Sequence, residues 1–526
     1  MTRHVADLVF GAATRWPDRP AMRYDGAGLT YGALAKLVSS VAAGLRDAGL
    51  RPGERVAVYL EKRIETVAAM FGAVAAGGVF VPINPLLKAR QVGYILRDCN
   101  VRLLVSSDMR LQSLASELAE CPDLHGTVTV DGEAAAEPNR TWAQIASANG
   151  AAFAHPVGHD DKSLAAILYT SGSTGMPKGV MLSHRNLCLG GESVSSYLGN
   201  TPEDRILAAL PLSFDAGLSQ LTTAFHVGAC VVLMNYLFPK DVVRLCAAEG
   251  ITGLTAVPPL WIQIAQLEWP AEAARRLRYF ANTGGHMPRA TLDRLRAIFT
   301  EAKPYLMYGL TEAFRSTYLD PAQVDTRPSS IGKAIPNAEI LVLRPDGSVT
   351  DPEEVGELVH CGPLVSLGYW NDAERTAQRF RPVPGRLNPD GTPEIAVWSG
   401  DRVKRDSEGF LYFVGRGDDM IKTSGYRVSP TELEETVYAS GLVGEVVALG
   451  LPHPVLGQAI VLVVTPPVSG TFDANAFATY CRGELPAYMV PQRVVERLSL
   501  PRNPNGKIDR KVLASELTLE KAEVAS

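Results

Sequence analysis

The residues Ser171-Gly-Ser-Thr-Gly-Met-Pro-Lys-Gly179 set glycines, hydroxyls and one lysine directly after an apolar run, LAAILYT (Leu164–Thr170). Small residues let backbone N–H groups close on a polyphosphate, hydroxyls add donors, and Lys178 adds a positive charge. Four of the five positions from Thr170 to Thr174 carry a hydroxyl, a density that a mere linker does not need. The lysine is followed by Gly179, so the loop is not a GxxxxGK(S/T) phosphate loop. Holding a polyphosphate at the end of a strand is the chemistry that suits this pattern.

Such a loop needs a sheet to present it. From Leu29 to Leu50 apolar residues recur at helical spacing (Leu34, Leu37, Val41, Leu45), and Gly49 supplies a stop. RPGERVAVYL then reads as a turn into a strand, Ile64–Ala76 as a helix, and VFVPI, VRLLVSS, LAAILYT and CVVLMNYL as extended. This alternation predicts an α/β fold, a large N-terminal body of β-sheets packed with helices. Residues 132–161, richer in Ala, Gly and polar residues, read as surface structure. Near Gly415–Asp419 the pattern changes, and the remainder reads as a small C-terminal α+β domain. The expected division is therefore 1–417 and 418–526.

The chain has 526 residues, 51 Lys+Arg against 56 Asp+Glu, a net charge of −5, and 46% hydrophobic residues. Apolar content this high excludes disorder of the whole chain, and the lack of a basic excess argues against a nucleic-acid partner. Seven cysteines, widely spaced and without a CxxC pair, fit neither a disulfide framework nor a zinc knuckle. Reduced thiols, and hence a cytoplasmic protein, are expected. The first twenty residues lack a sustained apolar stretch, so no signal peptide is expected. The uncharged runs Thr66–Leu87 and Ala216–Pro239 are broken by glycines, prolines and polar residues. Neither supplies the roughly 20 strongly apolar residues of a spanning helix, so no membrane partner is expected.

YTSGSTGMPKGV resembles the signature of the adenylate-forming superfamily, which includes acyl-CoA synthetases, luciferases and the adenylation domains of peptide synthetases. Tyr308-Gly-Leu-Thr-Glu312, Trp398-Ser-Gly-Asp401, Gly415-Arg416-Gly-Asp418 and Asn505-Gly-Lys507-Ile-Asp-Arg510 resemble further motifs of that family, in the family's order. The resemblance implies that a carboxylate attacks the α-phosphorus of ATP, giving an acyl-adenylate and pyrophosphate, and that a thiol then takes the acyl group. Thr170, Ser171, Gly172, Ser173, Thr174, Gly175 and Lys178 would hold the pyrophosphate. Glu312, with Thr174, would hold Mg²⁺, and Thr311 would donate to the α-phosphate. Gly284, Gly285, Tyr308 and Gly309 would form the adenine slot, and Asp401 with Arg416 would bind the ribose. Lys507 would bridge the substrate carboxylate and the phosphate as charge builds. Asp418 matches the family's hinge, and Gly425, in Lys422–Arg427, would wall a pantetheine tunnel where a side chain would block the thiol arm.

The identity of the acid turns on Phe214-Asp215. Fatty-acyl and aryl-CoA ligases of the family typically carry an aromatic–His pair here, whereas amino-acid adenylation domains carry Phe-Asp, the Asp holding the α-ammonium. A carboxylate beside a bound acid repels it and costs desolvation, whereas a zwitterion turns that cost into an ion pair. At a helix start the same Asp could serve only as a cap. Ala216, Ser219, Ala256, Ala281, Thr283, Met307 and Ser316 align with the family's acid pocket; none is charged, which predicts a compact, mildly apolar guest, though nearby Arg315 breaks the pattern. FDAGLSQLTTAFHVGA and MYGLTEAFRSTYL most resemble stand-alone ligases that load L-proline onto a carrier protein, and also a group of bacterial AMP-ligases of uncertain substrate. LPAYMVP and NGKIDR resemble peptide synthetases, while YGLTEA and GDDMIKTSGYRVSPTELEE are closer to acyl-CoA ligases. No Ser-centred carrier motif follows Arg510, so the phosphopantetheine thiol is expected in trans, from a separate carrier protein or as free CoA. A small-acid:CoA ligase is thus the alternative.

Overall fold

The computed structural model describes the whole chain except residues 1–2, 134–135, 156–158, 171–176, 286, 288, 417–419, 468–470, 502–507 and 524–526. The first long helix, Tyr31–Asp47, begins where the Thr30 side chain accepts from the Ala33 N–H, and the chain leaves it through Gly49 at φ +91°. Its apolar face packs with the helix Ile64–Ala75, which is buried from Thr66 onward, so the first uncharged run is a core helix followed by the strand Val79–Pro82. The second run divides likewise into the helix Asp215–Val227 and the strand Cys230–Leu233. No helix among the described residues is long and apolar enough to cross a membrane.

The described residues form three sheets. A seven-stranded sheet holds β1 (Leu164–Thr170), parallel to Val79–Pro82 and antiparallel to β2 (Lys178–Ser183). A fourteen-stranded sheet holds β3 (Tyr279–Asn282) and β4 (Lys303–Tyr308) as parallel neighbours, then β5 (Thr317–Leu319), antiparallel to β4. β6 (Pro393–Arg405) and β7 (Leu411–Arg416) lie farther along it. A five-stranded sheet is built wholly from residues 421–496, including β8 (Ile421–Thr423) and β9 (Tyr426–Val428). Its two faces have separate cores, one around Ile421, Leu433, Ile460 and Phe477, the other around Leu449, Val461, Leu513 and Leu517. The architecture is the expected one: a large α/β body and a smaller α+β body.

Candidate active site

The strands that flank the glycine-rich sequence are antiparallel neighbours. β1 and β2 pair with Thr170 opposite Lys178, so the register sets the lysine beside the last residue of β1. Lys178 Nζ lies 3.3 Å from Glu312 Oε1, donates to the Tyr369 hydroxyl at 2.8 Å and sits 4.2 Å above the Tyr369 ring. The Tyr369 hydroxyl in turn donates to Glu312 Oε1 at 2.6 Å. Burial alone would raise the Glu312 carboxyl. Lys178, Arg427 and the Tyr369 hydroxyl outweigh it and hold the group well below the ordinary carboxylate range. Among the described residues both side-chain polar contacts of Glu312 use Oε1, leaving Oε2 as the oxygen able to meet a hard divalent cation. Tyr369 has no place among the expected site residues, because nothing local in Gly-Tyr-Trp announces a partner 57 positions away.

The ends of β3 and β4 open on the same cleft, as expected for ligand sites beyond the carboxyl ends of parallel strands. Tyr308 closes β4 and donates its hydroxyl to Asp401 on β6. Asp401 stands opposite Arg416 in the β6–β7 register. Gly284 has φ +76°, and a methyl group there would press on Val257 at 3.2 Å. Gly425, on the turn between β8 and β9, has φ +83°, and its missing Cβ would come within 2.8 Å of the same Val257. The β8–β9 hairpin of the small body therefore packs against the cleft of the large one.

Between β4 and β5 the chain reverses through Tyr308–Ser316. Phe314 takes φ +59° there, a conformation costly for a bulky residue. Its ring is wholly buried in a space that exists only because Gly190, on the helix His184–Leu198, has no side chain. This bend turns Arg315 inward. Arg315 is 2% exposed, and its Nη1 donates to Asp215 Oδ2 at 3.2 Å and to Thr283 Oγ1 at 3.3 Å. Thr311 Oγ1 donates to Asp215 Oδ1 at 3.2 Å. Asp215 opens its helix without capping it; burial raises its carboxyl, and Arg315 and Thr311 oppose that rise.

Two sequence expectations change here. Asp215 already holds a cation of the protein's own, so its charge alone does not demand a zwitterionic guest. The acid pocket is also not free of charge. A narrow cavity beyond Asp215 is walled by Ala216, Ser219 and Met307 together with Thr223, Thr255, Tyr279 and Arg315. Thr283 reaches it only through Arg315; Ala281 packs beside Met307, and Ala256 belongs to a separate core. The Ser316 hydroxyl is taken by His360 Nδ1 at 2.9 Å. Phe214 faces the small body, its ring 5.3 Å from that of Tyr426. Ser171, Gly172, Ser173, Thr174, Gly175, Asp418 and Lys507 lie outside the described residues, and Arg416 is described in its backbone alone.

Comparison with known proteins agrees with this geometry. A family model described as AMP-binding enzyme matches residues 9–370, and one described as AMP-binding enzyme C-terminal domain matches 432–507. The chain is 31% identical to a sulfoacetate–CoA ligase of Cupriavidus necator over 96% of each chain. It is also 31% identical to a feruloyl-CoA synthase of an Amycolatopsis species, over 94% of each. Tyrocidine synthase 3 of Brevibacillus parabrevis matches at 29% over 94% of this chain but 7% of its own length. Among solved structures, o-succinylbenzoate CoA synthetase of Bacillus subtilis, bound to a product analogue, superposes with TM-score 0.83 at 25% identity, covering 97% and 98% of the two chains. With a nucleotide-binding body and a small second body matched in order, the chain belongs to the AMP-binding enzymes and is an AMP-forming acid–thiol ligase.

Proposed function

We propose that this ligase activates a small α-amino acid and passes it to the phosphopantetheine thiol of a separate carrier protein, in the cytoplasm. Asp215 carries the reading. Its carboxylate accepts from Thr311, and with Thr311 at the α-phosphate, as the family resemblance implies, it would stand within reach of an α-ammonium. Lys178 and the glycine-rich segment would hold the pyrophosphate, and Asp401 would accept the ribose hydroxyls. Glu312 Oε2 and Thr174 would hold Mg²⁺, which supplies charge neutralisation at the phosphates. Thr311 would steady the α-phosphate, and Lys507 would bridge the two anions that must meet. The division at 417/418 would let the small body turn about Asp418 between half-reactions. In the second, Gly425 would leave space for the thiol arm.

L-proline, the guest suggested by resemblance, would bring an ammonium to Asp215 and fit walls of Ala216, Ser219 and Met307. A second reading, a CoA ligase of a small carboxylic acid, is favoured by the Asp215–Arg315 pair, which leaves an uncharged acid nothing to neutralise. Amino-acid-dependent ATP–pyrophosphate exchange, followed by acceptor choice between CoA and a carrier protein, separates the two. Exchange supported only by acids without an amine would overturn the first reading. Replacing Lys507 by Ala is expected to abolish exchange while sparing thiol transfer from a preformed adenylate.

A further inference from the structure

We infer that Arg315 selects the side chain of the guest, and that the guest is an α-amino acid with a second anionic group, a carboxylate or sulfonate, on a short side chain. The inference rests on the amino-acid reading, because it needs an ammonium to take up Asp215.

Arg315 is the one charged residue among those lining the cavity beyond Asp215, and it is almost wholly buried. A guanidinium offers five N–H donors in a planar fork. Both of its hydrogen bonds in the structure leave from Nη1, to Asp215 and Thr283. Nε is buried with no hydrogen-bond partner, and no described residue bonds Nη2. The Nε–Nη2 edge, the one that matches two oxygens of a carboxylate or sulfonate, is therefore uncommitted. The other walls are apolar (Val194, Leu198, Ile206, Ala216, Met307) or carry neutral polar groups, the hydroxyls of Ser219, Thr223, Thr255 and Tyr279, and Gln220 spends its amide on the backbone of Leu207 and Leu210.

Charge accounting then separates the possible guests. The reacting carboxylate is matched elsewhere, so what remains of the guest meets Asp215 and Arg315, whose charges cancel. A guest with an amine alone, proline included, draws Asp215 away and leaves Arg315 buried with a weakened counterion. A guest with a second anion alone competes with Asp215 for Arg315. An ammonium together with a side-chain anion satisfies both residues and gives the idle guanidinium edge its partner. Buried charges that lose a partner are heavily penalised, so the difference is large.

The test is ATP–pyrophosphate exchange by the full-length enzyme with L-aspartate, L-glutamate, L-cysteate, L-asparagine, L-glutamine, L-proline, L-alanine and the amine-free dicarboxylates malonate and succinate. One of the acidic amino acids should exceed its neutral isostere in kcat/KM by about a hundredfold, the scale of discrimination from one buried charged partner. In Arg315→Met and Arg315→Gln that preference should vanish through loss of the acidic guest. The ratio of kcat/KM for the neutral isostere over the acidic amino acid should rise by about the same hundredfold, a switch in specificity that a merely structural arginine would not produce. Preference for a neutral amino acid would overturn the inference and leave the amino-acid reading standing. Exchange with malonate, succinate or uncharged acids alone would overturn both.

Discussion

The ring of Phe214 meets the ring of Tyr426 edge-on, with centroids 5.3 Å apart and planes at 74°. The residue that introduces Asp215 thus touches the hairpin of the small body, and Tyr426 is held from behind by Tyr488, stacked at 3.8 Å. Beside this contact lies Gly425, whose left-handed backbone and closeness to Val257 leave no space for a side chain. Replacing Gly425 by Leu is expected to lower thioester formation at least about tenfold while pyrophosphate exchange changes little, about 1.4 kcal/mol on one half-reaction alone. Parallel single-turnover assays of the two halves check this, with a thermal melt to confirm folding.

Asp215 and Arg315 form a pair in which removing either partner strands the other. Arg315→Met and Asp215→Asn are each expected to cost about 3 kcal/mol of stability, and the double substitution less than their sum. Urea denaturation of the four proteins measures the coupling. Additive losses would show that the two charges do not support one another.

Tyr369 donates to the Glu312 carboxylate and accepts from Lys178. In Tyr369→Phe the ring remains under Lys178 but Glu312 loses a donor. Exchange should fall by about tenfold to a hundredfold, in line with one lost hydrogen bond to a charged group, and half-saturation with Mg²⁺ should shift. Glu312→Gln should be far more damaging. Initial rates across a magnesium titration distinguish the two.

A stack of imidazoles near the start of the chain predicts an acid limit. His4 and His184 lie 4.1 Å apart between ring centroids, with His159 and His155 against them and Asp7 bonded to His155. Nδ1 of His4 accepts from the Ala6 N–H and Nδ1 of His184 from the Val5 N–H, so both rings carry their proton on Nε2. That tautomer leaves no free Nε2 lone pair, although the His4, His159 and His184 nitrogens approach within 4.8 Å. Burial first, then the neighbouring histidines, push His4 down to about 2 and His184 to about 3. The unfolded chain takes these protons near pH 6.5 and the folded chain refuses them. The melting temperature should therefore be flat above pH 6.5 and fall between pH 6.5 and 4.5, before buried carboxylates such as Glu312 contribute. His4→Gln should flatten that slope, which calorimetry from pH 4.5 to 7.5 reads directly.

Motifs carried by adjacent residues were legible in the amino-acid order. The hydroxyl-rich run before Lys178, Tyr308 to Glu312, and the run ending at Asp401 are each recognisable as motifs within a few positions, because a tight loop or a strand end keeps its residues adjacent in sequence. The alternation of buried helix and strand was equally plain, since Ile64–Ala75 and Val79–Pro82 carry their apolar residues in unbroken stretches. The meaning of Asp215 was not local. Its carboxylate is answered by an arginine 100 positions away, and that arginine is aimed by the bend at Phe314, which depends in turn on the absent side chain of Gly190. Sequence alone determined the family and the two-body α/β plan, because these rest on short-range order and hydrophobic periodicity. Tertiary structure alone decided the electrostatics of the acid pocket, because the sign of a buried site depends on which distant charges the packing brings within a few ångströms.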